Sequence, residues 1–233
     1  MAKIRVWITQ HGLPILLLLL APLLLFAPVV IGDATLLPAD ALMLFEPFRS
    51  TAQELIPPHN PLLADLVLQN YPWQRLIVNA LKQGEIPWWD PFTFSGHPFL
   101  ANGQAMGFYP LRVIFHIFPL PRAYGIFIIL QLGLAGVWMY VLTRVLHANR
   151  LGAVLAGLTF ELSGFLVVSA VHPMIIATAS WLPLLLALAE LGIRRAPFLR
   201  FGRSTLPWAL LGAAALLMQL LAGHAETAYF ALL

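Results

Sequence analysis

The chain has 233 residues, of which 60% are hydrophobic and only 10% are charged, and its mean hydropathy is +0.84. Soluble domains carry about 25% charged residues, so a chain this apolar needs lipid as part of its solvent, which excludes an ordinary soluble domain. The absence of cysteine excludes disulfides and thiolate zinc sites, and the net charge of +3 includes no basic stripe of the kind that binds nucleic acid.

Five apolar stretches predict an all-α, polytopic membrane bundle of about five transmembrane helices. The first, Leu13–Ile31, has Lys3 and Arg5 before it, as a secretory signal would. Its apolar run is longer than the roughly 7–15 residues of a signal peptide, which favours an uncleaved anchor. The other four predicted spans are Tyr124–Leu146, Leu151–Val171, Met174–Ile193 and Leu206–Ala222.

Three groups of basic residues, which lie before the first span and in the connections between later spans, predict the orientation of these spans. If the spans alternate, three basic groups fall on one side, and the positive-inside rule makes that side cytoplasmic. The groups are Lys3 with Arg5, Arg144 with Arg150, and Arg194, Arg195, Arg200 and Arg203. The N-terminus is then cytoplasmic. The chain divides into residues 1–32 (N-terminus and first span), an outer loop of residues 33–110, and residues 111–233 (the remaining bundle).

The outer loop contains most of the chemically reactive side chains. It holds seven acids against three bases and is therefore net −4. Leu62–Gln69 and Trp73–Gln83 are predicted as short helices, the second amphipathic and suited to the lipid interface. Residues 90–98 are predicted as turns rather than strands. The acids are Asp33, Asp40, Glu46, Glu54, Asp65, Glu85 and Asp90.

An ordered series of short motifs resembles the bacterial YfhO-like membrane proteins. The pieces are Asn60-Pro-Leu-Leu-Ala-Asp65, Gln69-Asn-Tyr-Pro-Trp73, Gly84-Glu-Ile-Pro-Trp-Trp-Asp-Pro91, Gly96-His-Pro-Phe-Leu-Ala-Asn102, Gln104, Phe108-Tyr-Pro110, Leu162-Ser-Gly-Phe165, His172-Pro173, Trp181-Leu-Pro183 and Gly223-His-Ala-Glu226. The chain departs from that family's pattern at Asp90, where an asparagine is usual, and at Glu161, where a small or apolar residue is expected.

The resemblance implies a glycosyltransferase of the GT-C class in the bacterial cytoplasmic membrane. Such an enzyme takes a sugar from a polyprenyl-phosphate donor and transfers it on the outer face to a cell-envelope polymer or lipid. An acid in the first outer loop serves the reaction. Members of the family are much longer than 233 residues, so we expect this chain to be the N-terminal part of a longer protein.

Asp65 and Asp40 are the predicted catalytic residues. The family motif places an acid before the Tyr-Pro-Trp turn, where Asp65 stands, and sugar transfer needs a base for the acceptor hydroxyl. Asp65 could instead cap a helix or pair with Arg75. Asp40 and Asp33 lie just beyond the first span and are alternatively N-caps. Two neighbouring outer carboxylates could also hold Mg²⁺ or Mn²⁺.

Seven further residues are predicted to bind substrate. Amides and imidazoles hydrogen-bond sugars or phosphates, although Asn102 and Gln104 could instead hold loop backbone groups and His97 could be a satisfied turn histidine. His172, His224 and Glu226 lie at the outer ends of predicted spans, where they could contact a phosphate or a lipid headgroup. Two arginines flank the second span on its outer side, where they suit a phosphate or snorkel to lipid headgroups. The predicted binding residues are His97, Asn102, Gln104, Arg112, His172, His224 and Glu226, with Arg122 as the second flanking arginine.

Glu161 lies near the middle of its predicted span. An ionisable group at that depth costs about 2.5–3.5 kcal/mol on insertion scales and is a functional candidate. The alternative is a protonated carboxyl bonded to Ser163 or Thr159. Glu161 is the one feature that favours a transporter or flippase, whereas the sequence has no internal repeat of the kind that transporters often show. A non-catalytic membrane scaffold is the third alternative.

Overall fold

The computed structural model describes residues 2–51, 57, 59–198, 202 and 204–233. Three charged residues named above, Glu54, Arg200 and Arg203, lie outside the described residues. The remaining chain is mostly helical, and its only paired strands among the described residues are two residues long, so the all-α prediction is confirmed.

Twelve α-helices and two short strands follow one another along the described chain. The helices are α1 Ala2–Leu25, α2 Ala27–Ile31, α3 Phe48–Thr51, α4 Tyr71–Lys82, α5 Ile114–Ile117, α6 Leu120–Val145, α7 Arg150–Glu161, α8 Gly164–Val168, α9 Pro173–Ala179, α10 Leu182–Ile193, α11 Leu206–Leu221 and α12 Ala225–Leu232, and the strands are β1 Trp89–Asp90 and β2 His97–Pro98.

Three helical segments in the described part are long and apolar enough to cross a membrane. They are Leu120–Val145, Arg150–Val171 and Pro173–Ile193, which match the second, third and fourth predicted spans. The first and fifth correspond to the shorter apolar helices His11–Leu25 and Leu206–Leu221, so the count of five stays a prediction.

Two of the three long segments are interrupted. The third span breaks after α7, where the Ser163 hydroxyl accepts a hydrogen bond from the Leu166 amide at 3.4 Å and starts α8. The fourth breaks between α9 and α10 at Ser180, and prolines stand in the first turns of both helices, where a missing N–H costs nothing.

Helix α6 is the centre of the bundle and contacts α1, α7, α9 and α10. Glycines let two of these helices approach closely, as small residues do in membrane bundles. A β-carbon on Gly157 of α7 would lie 2.9 Å from the Gly136 carbonyl oxygen of α6 and 2.7 Å from Leu18 of α1. The three helices therefore meet where these glycines lie.

The two ends of the bundle are distinguished by their side-chain contacts. At one end, His11 of α1 hydrogen-bonds Tyr140 of α6 at 2.7 Å, and Arg194 contacts His147 at 2.7 Å. At the other end, the Tyr124 hydroxyl near the start of α6 donates to Asn70 at 2.7 Å. Residues 59–110, called the outer segment below, therefore pack on the end opposite the turns that follow α6 and α10.

The segment from Asn60 to Lys82 differs in detail from the prediction. Leu62–Gln69 is not one helix: it comprises the 3₁₀ turn Pro61–Leu63 and the π turn Leu66–Asn70. The Asn60 side chain accepts from the Leu62 amide at 3.0 Å and starts the first turn. Helix α4 is confirmed and begins at Tyr71, where Pro72 occupies a first-turn position that proline tolerates.

The prediction that residues 90–98 form turns rather than strands is wrong for Asp90 and for His97 and Pro98, which belong to two short paired strands. Trp89 pairs with Pro98 and Asp90 with His97 in an antiparallel hairpin. The Asp90 carboxylate accepts from the Phe92 amide at 2.8 Å and the Thr93 hydroxyl at 3.2 Å, which closes the tip and brings the ends together.

Candidate functional site

A cavity of about 240 Å³ lies where the outer segment meets the turns at the end of the bundle. Its walls come from the π turn, the start of α4, and the turns before α9 and α12. Four of its residues were predicted from the sequence as site residues: Asp65, Gln104, His172 and His224. The other lining residues are Leu66, Gln69, Asn70, Trp73, Met174 and Ile175.

The Asp65 carboxylate is available to a ligand. The residue is exposed, and its side chain does not cap the π turn that follows it. Nor does it pair with Arg75 in the described part of the chain. Neither of the structural alternatives considered for Asp65 is therefore formed, and a carboxylate on the wall of a cavity is left to act on what the cavity binds.

His172 lies between two of the long apolar segments, and its imidazole interacts electrostatically with the Asp65 carboxylate. Partial burial lowers the pKa of His172, the Asp65 carboxylate raises it, and His224 lowers it again, with burial the largest effect. The ring is therefore mostly neutral at pH 7 and has one N–H to donate. An anion entering beside Asp65 would favour its protonated form.

His224 has a defined hydrogen-bonding arrangement. Its Nδ1 accepts from the Thr227 amide at 3.1 Å and is 2.8 Å from the Thr227 hydroxyl, so a neutral ring carries its proton on Nε2. Its own backbone amide donates to the Thr178 hydroxyl at 3.3 Å. These bonds join the start of α12 to α9 and orient the imidazole as a donor.

Two glycines bring Gln104 beside His224. Gly223 has a φ of +94°, and a β-carbon there would lie 2.2 Å from the Gly103 carbonyl oxygen and 3.3 Å from the Gln104 α-carbon. The turn of the outer segment thus lies directly on the turn between α11 and α12, an approach that only glycine allows.

Asn70, Gln69 and Trp73 belong to the cavity but were not predicted as site residues. Asn70 is buried, its Oδ1 accepts from Tyr124, and its Nδ2 has no partner among the residues described. A buried amide without a partner is uncommon in proteins and marks a donor available to a ligand. The signal was the polar Gln-Asn pair in an apolar run, which was assigned only to the family motif.

Asp40 lies apart from the cavity-lining residues. Its Oδ2 accepts from the backbone amide of His59 at 2.8 Å and lies 2.9 Å from that imidazole. These hydrogen bonds lower the pKa of Asp40. Where the chain is described, no group of three or more His, Asp or Glu side chains is placed to hold a metal ion.

The two outer arginines do not line the cavity either. Arg112 is buried, donates to Gln74 Oε1 at 3.0 Å and lies 3.0 Å from His116 Nε2. Burial lowers the pKa of Arg112 to about 10, so it remains charged at neutral pH. Arg122 donates to the Val30 carbonyl at 3.0 Å and ties α6 to the end of α2. Both arginines join structural elements.

The three remaining predicted binding residues lie outside the Asp65 cavity. His97 lines an adjacent cavity of about 510 Å³, and its buried Nδ1 has no partner within the described ranges. Asn102 lines a third cavity, between the outer segment and α11. Glu226 is exposed in the first turn of α12. Of the nine catalytic and binding candidates, the Asp65 cavity therefore contains four. The other five are Asp40, Arg112 and these three residues.

Glu161 is fully buried against Gly136 of α6. Neither carboxyl oxygen has a hydrogen-bond partner in the described structure, so the bonds to Ser163 or Thr159 considered from the sequence are not formed. Its position, at the last residue of α7, is apart from the residues that line the Asp65 cavity.

The fold and the site define an all-α protein with helices able to cross a membrane and a carboxylate–imidazole cavity at one end of its bundle. Comparison with protein-family models, with curated proteins and with solved structures finds no match to this chain.

Proposed function

We propose that the protein is a membrane glycosyltransferase of GT-C type, which moves a sugar from a polyprenyl-phosphate donor to a cell-envelope acceptor. The observation that supports this most is the convergence of Asp65 with His172 and His224 on one cavity. These residues come from three separate parts of the chain. A carboxylate beside two imidazoles provides a base and two donors for a phosphate, which is what this transfer needs.

Each residue has a defined role in the proposed reaction. The Asp65 carboxylate takes the proton of the acceptor hydroxyl while that oxygen forms a bond to the anomeric carbon of the donor sugar. The bond between that carbon and the phosphate oxygen breaks, and the electron pair leaves with the polyprenyl phosphate. His172 and His224 donate hydrogen bonds to the phosphate oxygens as negative charge develops there.

The proposed orientation places this cavity on the outer face of the cytoplasmic membrane, with five spans and a cytoplasmic N-terminus. Its support is the distribution of charge: Arg194 and His147 meet at the end of the bundle opposite the acidic outer segment. Arg144 and Arg150 flank the same turn, so basic residues cluster at the end that the positive-inside rule makes cytoplasmic.

Asp65→Asn tests the proposal. The substitution keeps size and polarity but removes the base, and loss of a general base slows a reaction by about 10²–10⁴-fold. Transfer from a polyprenyl-phosphate sugar to envelope acceptor should fall by that factor in membrane vesicles, with unchanged protein level. Asp33→Asn, an exposed acid outside the cavity, is the matched control.

Asp40→Asn separates the two predicted catalytic acids. Because Asp40 is bonded to His59, we expect only a modest loss of transfer from this variant. Full transfer by Asp65→Asn would overturn the role of Asp65 as the base, and abolition by Asp40→Asn alone would move the base to Asp40. Absence of transfer by the unaltered protein would overturn the transferase proposal itself.

Transport is the second candidate function, and it is favoured by the buried carboxyl of Glu161, for which the described residues provide no hydrogen-bond partner. An ionisable group inside a bundle is a feature of proton and substrate pathways. Under this alternative, Glu161→Gln abolishes uptake or flipping of a lipid-linked sugar in vesicles while Asp65→Asn does not. Under the transferase proposal, Asp65→Asn abolishes glycosylation and Glu161→Gln does not.

A further inference from the structure

A groove of about 740 Å³ lies on the far side of α4 from the bundle. One wall is a face of α4, and the other is the segment that leads into the hairpin. The groove combines indole rings with amide and charged groups. The lining residues used below are Arg75, Asn79, Gln83, Glu85, Trp88 and Trp89.

This groove and the Asp65 cavity lie on either side of an intermediate cavity, and each adjoins it. The groove shares Phe92 and Leu76 with the adjacent 510 Å³ cavity that contains His97. That cavity in turn shares Gln69 and Trp73 with the cavity of Asp65. The three spaces therefore lie side by side along α4, and the last of them contains the proposed catalytic carboxylate; this row of neighbouring spaces is called the track below.

The two tryptophans of the groove are accessible, and the hairpin packs on one of them. Trp88 is 66% exposed and Trp89 53%. A β-carbon on Gly96 would lie 2.4 Å from the Trp89 indole nitrogen, so Gly96 lets the hairpin pack on that ring. Asp90 fixes the tip beside them through the Phe92 amide.

The chemistry of the track matches an uncharged sugar chain. Indole faces stack on the C–H faces of pyranose rings, and the side chains of Asn79 and Gln83 provide donors and acceptors for hydroxyls. The one acid and one base of the groove, Glu85 and Arg75, balance each other. An anionic polymer would meet an outer loop of net charge −4, which disfavours it.

We propose that this track binds the acceptor as an extended, uncharged glycan, with successive sugars along Trp88, Phe92 and Trp73 and the reacting end at Asp65. The inference rests on the proposed transferase function and identifies its acceptor as a chain of sugars rather than a single sugar or a lipid headgroup.

The test measures binding of the purified protein in nanodiscs to fluorescently labelled, uncharged envelope oligosaccharides of increasing length. Affinity should rise with chain length. Trp88→Ala and Asn79→Ala should each weaken binding of the longer chains by about tenfold, or about 1.4 kcal/mol. Phe108→Ala, an equally exposed aromatic of the outer loop that lines no part of the track, is the matched control.

Three results would overturn the inference. They are no binding of any oligosaccharide, affinity that does not change with length, and Trp88→Ala binding as the unaltered protein does. A fourth would assign the groove to lipid: quenching of the Trp88 fluorescence, taken as the difference between the unaltered protein and Trp88→Phe, by brominated phospholipid but not by oligosaccharide.

Asp65→Asn separates this inference from the proposed function. It should bind the oligosaccharides normally and fail to transfer sugar. If the unaltered protein transfers no sugar but binds the oligosaccharides, and Trp88→Ala loses that binding, the transferase proposal fails and the glycan site stands. If Asp65→Asn loses transfer while Trp88→Ala binds normally, the glycan track alone is wrong.

Discussion

Gly223 determines how closely the turn that carries His224 approaches the turn that carries Gln104. Its positive φ and the 2.2 Å that would separate a β-carbon from the Gly103 carbonyl leave no room for a side chain. Two of the four cavity residues therefore owe their proximity to a residue without chemistry of its own.

Gly223→Ala should destabilise the protein by about 1–3 kcal/mol through backbone strain and should reduce transfer further, because the clash separates Gln104 from His224. Gly84→Ala is the control for positive φ alone, since nothing lies within 4 Å of its added carbon. Gly164→Ala is the control without positive φ and without a clash, so it should lose neither stability nor transfer. Thermal unfolding in detergent and transfer assays measure the two losses. Equal behaviour of Gly223→Ala and Gly84→Ala would show that the contact between the turns is unimportant.

The resemblance to the family motifs predicted Asp65 and Gln104, and the place of His172 and His224 at the outer ends of predicted spans predicted those two residues. The sequence did not predict Asn70, whose role depends on Tyr124, 54 residues further along. Nor could it show that His59 occupies the Asp40 carboxylate, since that contact depends on how the loop folds back.

At the scale of elements, Arg112 joins α4 to the chain that enters α5. Its guanidinium donates to Gln74, which itself donates to the Ala105 carbonyl at 2.8 Å. These buried bonds connect α4 to two later segments of the outer region. They account for an arginine on the outer side without any phosphate, although the sequence alone left that alternative open.

Arg112→Met should lower the free energy of unfolding by about 1.5–3 kcal/mol, because it removes a hydrogen bond from a charged donor and leaves the Gln74 carbonyl oxygen unpaired. Arg122→Met, whose arginine bonds only a backbone carbonyl at an exposed position, should cost less. Unfolding of both variants in the same detergent makes the comparison. A stable Arg112→Met protein that no longer binds donor would support the phosphate-binding role instead.

Periodicity and composition predicted α4 and the long apolar helices, because each of these elements has a pattern of its own. The hairpin was missed because two-residue strands have no periodicity, and the pairing depends on the Asp90 side chain. The interruptions at Ser163 and Ser180 were missed because hydropathy does not register a cap inside an apolar run.

At the scale of the whole molecule, the two ends of the bundle have opposite character. The end with Arg194 and His147 is basic, and the other holds the acidic segment and the Asp65 cavity. Hydropathy and charge together predicted this polarity from the sequence. They could not predict which side chains meet across the bundle.

The absence of native cysteine makes the orientation directly testable. In intact cells, the proposed orientation predicts that a membrane-impermeant maleimide labels Gln83→Cys but leaves Pro197→Cys unlabelled until the membrane is opened, because the two positions lie at opposite ends of the bundle. Both positions are exposed in the structure, so burial cannot explain a missing label. Labelling of Pro197→Cys alone in intact cells would place Asp65 in the cytosol.

The contact between Gly103 and Gly223 also sets an order of events during synthesis. Asp65 and Gln104 leave the ribosome well before the turn that carries His224, so the segment that contains them waits with one wall of the cavity missing. The last imidazole arrives only when α11 and the start of α12 have been synthesised. A nascent chain arrested before that point would contain the carboxylate but no enclosed chamber around it.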